Sequence, residues 1–254
     1  MKVVGESEVQ HIIQSIRTNG FVVVQLEGQK HERITRAIAD SLEKLDIDLS
    51  SIERLHEKIS LQDLNEIRLK IISSLVKDDF YSNLLLKEFM SLLVQLVGTD
   101  LAIQRASGLS IQLPHDESSV LPMHADSLVG NSPYELVIWH PLTRADKSAA
   151  MYILPLERSL EVYKSNLLKT KSLAEVFEYV KADMIELSVK PGQIVIFSHN
   201  LLHGNKINEE EFTRVSLNTR IKNIFTPYGS KELGSYFRKV QFSVASELGI
   251  KFDV

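Results

Sequence analysis

A chain of 254 residues, 44% apolar and 24% charged, can bury a full core and does not have the composition of a disordered protein. Its net charge of −4, with both signs spread along the sequence, offers no basic face to nucleic acid or to an anionic membrane. The lack of cysteine excludes disulfides, thiolate metal sites and thiol nucleophiles; with no leader-like or bilayer-length apolar run in view, a cytoplasmic protein is expected.

Val9, Ile12, Ile13 and Ile16 recur at helical spacing, and Asn19-Gly20 stops that helix before Phe21–Leu26, a β-branched run that reads as a buried strand. His31–Leu45 reads as an amphipathic helix with Ile34, Ile38, Leu42 and Leu45 on one stripe, whereas Leu49–Leu61 is polar and unpatterned. Leu61–Val76 and Tyr81–Val97 are two further helical patterns, the second closed at Gly98-Thr99-Asp100, where glycine admits a left-handed cap. From Leu101 the texture changes. Leu101–Arg105, Leu109–Leu113, Tyr134–Leu142, Ala150–Leu154, Met184–Val189, Gln193–Phe197 and Thr213–Ile221 are short strand-like runs separated by turn residues, the pattern of an antiparallel sandwich or barrel. Pro155–Tyr179 is a helical excursion between strands, and Tyr228–Leu248 is mixed. One domain is expected over 1–254, with residues 1–100 as helical support on an outer face, 101–221 as a strand core carrying an insertion at 155–180, and 222–254 as an extension.

Two stretches carry the chemistry. In His124-Ala125-Asp126, strand alternation turns the imidazole and the carboxylate to one face. Downstream, Pro191-Gly192 introduces Gln193–Phe197, and Asn208-Glu209-Glu210-Glu211 reads as the loop of a hairpin that places His203 opposite Arg214, with Cβ atoms about 5 Å apart. Ser216 then shares their face while Val215, Leu217 and Ile221 point away. Buried charges must be paired or bound to a metal. Two histidines and one carboxylate with open coordination positions form the facial triad of non-haem Fe(II) oxygenases, and an adjacent arginine supplies a planar partner for a co-substrate carboxylate.

His124-x-Asp126, the run Pro191–Phe197 leading into Leu202-His203-Gly204, and Arg214 eleven residues beyond His203 together resemble the phytanoyl-CoA dioxygenase-like branch of the Fe(II)/2-oxoglutarate oxygenases. Within it, the texture is similar to the StrG-like oxygenases of bacterial surface-carbohydrate clusters. Ala150–Pro155 resembles a segment that many relatives continue as Pro-Gly-Ser-His, where this chain has Pro155-Leu156-Glu157-Arg158-Ser159. The resemblance implies an α+β chain built on a double-stranded β-helix (jelly roll, cupin-like), with His124, Asp126 and His203 as iron ligands and Arg214 as the 2-oxoglutarate anchor. It implies a dioxygenase that uses Fe(II), 2-oxoglutarate and O2, releases succinate and CO2, and hydroxylates an unactivated C–H bond of a small molecule, a sugar or activated sugar.

Other residues enter with two readings each. His199 competes with His203 as third ligand. Gln112 either contacts the co-substrate or is a hydrogen-bonded amide of the core, and Tyr152 either hydrogen-bonds the co-substrate or packs. Trp139 and His140 adjoin on one strand, so one of them faces the site. Asn218 and Arg220 share the Arg214 face, at a solvated rim or against substrate, whereas His115 and Asp116 diverge. The 155–179 insertion is placed as a lid with Arg158, Tyr163 or Lys164 touching substrate. No Gly-x-Ser-x-Gly elbow accompanies these residues. The competing classes are a non-catalytic jelly-roll binding protein and a cupin-like isomerase or epimerase. The partner expected is a small molecule, without nucleic acid or membrane, and the oligomeric state, homodimer included, is open.

Overall fold

Residues 6–26, 28–43 and 52–252 are described in the computed structural model; Leu45 and residues 49–51 of the expected elements lie outside them. The N-terminal periodicity is realised as α1 (Glu6–Asn19), strand β1 (Phe21–Gln25) and α2 (Gly28–Glu43), in which Ile34, Ile38 and Leu42 are buried. After a short 3-10 turn at Ile52–Glu57 come α3 (Leu64–Val76) and α4 (Phe80–Val97). Gly98 closes α4 at φ +92° and ψ 172°, an extended positive-φ region open to glycine and distinct from the left-handed cap expected there.

The remaining chain is β2 (Leu101–Gln104), β3 (Gly108–Gln112), β4 (Glu135–Pro141), β5 (Met151–Ile153), α5 (Leu156–Lys164), α6 (Leu167–Thr170), α7 (Leu173–Val180), β6 (Ile185–Leu187), β7 (Gln193–Ser198), β8 (His203–Asn205), β9 (Arg214–Asn223), β10 (Phe237–Gln241) and α8 (Val244–Gly249). They form two antiparallel sheets. The larger runs β1-β7-β4-β9-β2-β10, with β3 paired to the first half of β9, and the smaller is β6-β5-β8. Because β9 is ten residues long, it pairs with β3 through Arg214–Asn218 and with β2 through Ile221–Asn223, and so runs past the whole site.

Alternation on β9 divides two environments. Val215, Leu217 and Ile221 join the core beneath the N-terminal helices, together with Ile194, Ile196 and the buried faces of α2, α3 and α4. On the opposite face, Val137 and Trp139 of β4 and Val195 and Phe197 of β7 meet Met151 and Ile153 of β5, so the sheets pack face to face. The α5–α7 excursion covers the outer side of the smaller sheet, where Val162 and Val176 pack with Met123, Tyr152 and Leu202.

Candidate metal centre and anion pocket

His124 and His203 lie directly opposite one another where the segment after Leu121 runs antiparallel to β8. His124 N donates to His203 O and His203 N to His124 O, each at 2.9 Å. Opposed residues of an antiparallel pair project from one face, and the ring centroids accordingly lie 4.4 Å apart. Each Nδ1 rests against a carbonyl, Pro122 O at 2.9 Å for His124 and Leu201 O at 2.8 Å for His203. A carbonyl only accepts, which assigns the proton to Nδ1 and turns both Nε2 lone pairs towards the shared space.

Asp126 arrives by another route. Ala125 is extended, but Asp126 opens a 3-10 turn to Val129, and its N–H is fixed at 3.0 Å by His199 O. Its Oδ1 stands 3.6 Å from His124 Nε2 while Oδ2 accepts from Arg220 Nη2 at 2.6 Å. Burial works to raise the Asp126 pKa, but the neighbouring His124 ring and the charge of Arg220 outweigh it and hold the carboxyl well below the usual carboxylate range. Burial, with His124 beside it, pushes His203 down to about 4. At neutral pH the set is therefore an ionised carboxylate with a neutral His203, and one ligand atom from each of the three residues lies within 4.8 Å of the others. That donor set suits a divalent transition ion and leaves coordination positions open.

Arg214 and His203 line one cavity of about 280 Å³. That is close to the lower end of the roughly 300–1,000 Å³ of small-molecule sites. The expected hairpin is not what joins them. β8 pairs with β5, placing His203 opposite Ile153, whereas Arg214 pairs with Gln112 of β3 in the other sheet. The loop between is held by Asn208, whose amide donates to Gln112 O and Phe212 O, at 3.2 and 2.7 Å. Arg214 and His203 thus face each other from opposite sheets instead of sitting side by side.

Arg214 is 3% exposed and donates to Ser110 Oγ at 3.1 Å, yet its Nε has no hydrogen-bond partner, and among the described residues no carboxylate forms an ion pair with it. Burial alone pushes its pKa down to about 10. Ser216 lines the same cavity, fully buried, with its hydroxyl also unpartnered. A buried guanidinium beside an idle hydroxyl forms a cradle for an anion.

Gln112 shares the face of Arg214, opposite which it lies, but it is fully buried outside the cavity lining, its amide nitrogen donating to Lys206 O and its Oε1 without a partner. Tyr152 does not reach the cavity either. On β5 it points opposite to Met151, packs 5.4 Å from the Phe177 ring, and leaves the cavity to Met151. Trp139 lines the cavity, and His140 points the other way, to Tyr81 and His31.

His199 lies behind Asp126, its Nε2 donating to Ser132 O at 2.5 Å and its Nδ1 3.8 Å from Asp126 Oδ2. Asn218 lines the cavity. Arg220, for which a solvated rim was one expectation, instead bridges Asp126 and the Tyr236 hydroxyl. The α5–α7 excursion is no lid over this cavity: Arg158 is engaged with Glu161 and Asp183, Tyr163 with Ser127, and neither these two nor Lys164 is among the lining residues, which include Ser118–Leu121.

Gly204 explains how closely these pieces approach. A Cβ there would stand 2.5 Å from Tyr152 Oη and 2.8 Å from Leu121 O. Only glycine lets β8 lie against both β5 and the strand that carries His124.

No family model matches the sequence, and no curated protein is similar to it at the sequence level. Solved structures are similar. The nickel complex of the non-haem monooxygenase ThoJ superposes with a TM-score of 0.58 at 16% identity, over 91% of this chain and 84% of that one. The 2-oxoglutarate-dependent carbocyclase SnoK of nogalamycin biosynthesis gives 0.52 at 19% identity, over 86% and 85%. HygX from Streptomyces hygroscopicus, solved with nickel and 2-oxoglutarate, gives 0.51 at 12% identity, over 88% and 90%. The chain has their fold.

Proposed function

We propose that this protein is an Fe(II)/2-oxoglutarate-dependent dioxygenase that oxidises a small polar molecule, a sugar or activated sugar in bacterial carbohydrate or natural-product biosynthesis. The observation that carries the reading is that His124 and His203, whose ligand atoms gather with one of Asp126 within 4.8 Å, line the same cavity as a buried Arg214 without an ion-pair partner among the described residues. A metal site alone would suit many reactions. A carboxylate anchor built into its wall selects a co-substrate with a far carboxylate. We read the two sheets as the halves of a double-stranded β-helix, residues 1–254 as one domain, and the phytanoyl-CoA dioxygenase-like, StrG-like branch as the nearest kinship.

In this reading His124 and His203 present Nε2 to the iron and Asp126 presents Oδ1, its other oxygen being retained by Arg220. Bound iron supplies the activation of O2, coupled to decarboxylation of 2-oxoglutarate. Arg214 and Ser216 hold the far carboxylate of 2-oxoglutarate by charge-assisted hydrogen bonds. Trp139, Phe197 and Met151 give that end an apolar wall that excludes water and strengthens those bonds. Among the described residues no helix is long and apolar enough to cross a membrane.

Incubation of the iron-loaded protein with 2-oxoglutarate in air should yield succinate, in amounts that fall on removal of iron or O2. A chain that turns over a sugar without O2 would be an isomerase, and one that binds 2-oxoglutarate without forming succinate would be a binding protein. Ring closure is the second outcome considered, because SnoK, of the same fold, is a carbocyclase.

A further inference from the structure

The same cavity holds a second arginine. Arg68 is on α3, which packs beside the edge strand β3, and it lines the cavity together with Ser118, Ser119 and Leu121 among others. Its Nε is buried without a partner, and among the described residues Arg68 makes no hydrogen bond or ion pair. The nearby hydroxyls do not serve it: Ser118 Oγ donates to Asp116 Oδ1 at 2.6 Å and Ser119 Oγ to Asp116 O at 3.0 Å. None of the described residues lining the cavity is acidic.

Charge bookkeeping then points to a ligand. A divalent ion and three arginines, Arg68, Arg214 and the Arg220 already bound to Asp126, face that single aspartate, so 2-oxoglutarate, a dianion, leaves the site net positive with Arg68 lacking a partner of its own. An uncompensated cation at a partly desolvated wall is unfavourable unless a ligand completes it. Arg214, in β9, is the arginine two residues from the idle Ser216 hydroxyl on one strand face, whereas Arg68 comes from α3 of the helical layer, which packs against the edge strand β3.

We propose that Arg68 binds an anionic group of the substrate, a phosphate or a carboxylate, so that the molecule oxidised is a charged sugar derivative or similar acid. The proposal rests on the dioxygenase reading, because it assigns Arg214 to the co-substrate. Only Arg presents this planar fork of donors, which suits bidentate recognition of either group.

Nickel-loaded protein saturated with 2-oxoglutarate is titrated calorimetrically with glucose 6-phosphate, gluconate and glucose as probes. At least one anion should bind, and more tightly than glucose by about tenfold or more. Arg68→Gln should erase that preference while changing the 2-oxoglutarate Kd by less than about twofold, and Arg68→Lys, which keeps the charge, should retain part of it. The stronger anion identifies phosphate or carboxylate as the group read. Equal or absent binding of all three probes, or an unchanged preference in Arg68→Gln, overturns the proposal. An equal loss of 2-oxoglutarate and anion affinity also overturns it, making Arg68 a second co-substrate anchor. Because 2-oxoglutarate is titrated first, a wild-type protein that fails to bind it defeats the dioxygenase reading instead.

Discussion

Replacing Arg214 by methionine should stabilise the metal-free protein and abolish its co-substrate binding. The guanidinium is 3% exposed, has no carboxylate partner among the described residues, and has its pKa pushed by burial from its ordinary value down to about 10. At about 1.4 kcal/mol per pKa unit, that depression amounts to about 3 kcal/mol against the charged native state. The native pKa lies below the unfolded one, so the unfolded chain binds the proton more tightly and the penalty stands in full at every pH below about 10. Methionine removes the buried charge while keeping an apolar stem in the wall, and the lost hydrogen bond to Ser110 returns about 1 kcal/mol. The net expectation is a gain of about 2 kcal/mol, or about 4–8 °C in Tm for a domain of this size. Two charge-assisted hydrogen bonds to a carboxylate are worth about 1.5–3 kcal/mol each, so the 2-oxoglutarate Kd should rise by about a hundredfold or more. Thermal melts of the metal-free proteins and calorimetry of their nickel-loaded forms read the two effects separately. A variant that melts below wild type, or that binds 2-oxoglutarate within about threefold of it, would refute the reasoning.

Three other outcomes follow from particular contacts. Arg220→Gln leaves Asp126 Oδ2 without its guanidinium partner and should weaken nickel binding by about 10–100-fold in a competitive metal titration, with Arg220→Lys recovering part of it. Gly204→Ala places a methyl against Leu121 O and Tyr152 Oη, and should part β8 from the His124 strand. Nickel affinity should fall by at least about tenfold, with a destabilisation of about 1–3 kcal/mol by denaturant titration. His140 is wedged between Tyr81 and His31, and burial, with the charge of His31 added, pushes its pKa down to about 3. The native state therefore refuses a proton that the unfolded chain accepts below about pH 6.5, so stability is lost as pH falls, by about 2 kcal/mol between pH 7 and pH 5. His140→Leu should flatten that slope by about this amount in urea titrations at the two pH values.

Much of the site was legible because its signals are local. His-x-Asp, the Leu202-His203-Gly204 step and Arg214 lie in short segments whose alternation or turn chemistry exposes them. The partnership of segments was not legible. Period-two patterning places Arg214, Ser216, Asn218 and Arg220 on one face, but it does not say which strand lies opposite. A polar loop before β9 looks like a hairpin turn whether it joins two paired strands or carries the chain between sheets, as it does here. The length of β9 is what carries Arg220 to Asp126 instead of to solvent, and that length shows in the sequence only as a continuing alternation to Asn223. Arg68 had no signal of its own, since a charged residue beside Ile67 and Ile71 on an amphipathic helix ordinarily faces water. Tyr152 and Gln112 fall outside the pocket for plainer reasons: Tyr152 alternates with Met151, which faces the cavity, and Gln112, though on the Arg214 face, is turned to Lys206 O.

The central claim is that His124, Asp126 and His203 hold one iron beside a carboxylate anchor at Arg214. Anaerobic addition of Fe(II) and then 2-oxoglutarate should produce the weak visible metal-to-ligand charge-transfer band in the wild type at one iron per chain. The band should be absent in His203→Ala, and in Arg214→Met it should be recovered only at far higher 2-oxoglutarate. A wild-type protein that shows no band, or a His203→Ala protein that shows it undiminished, would contradict the account.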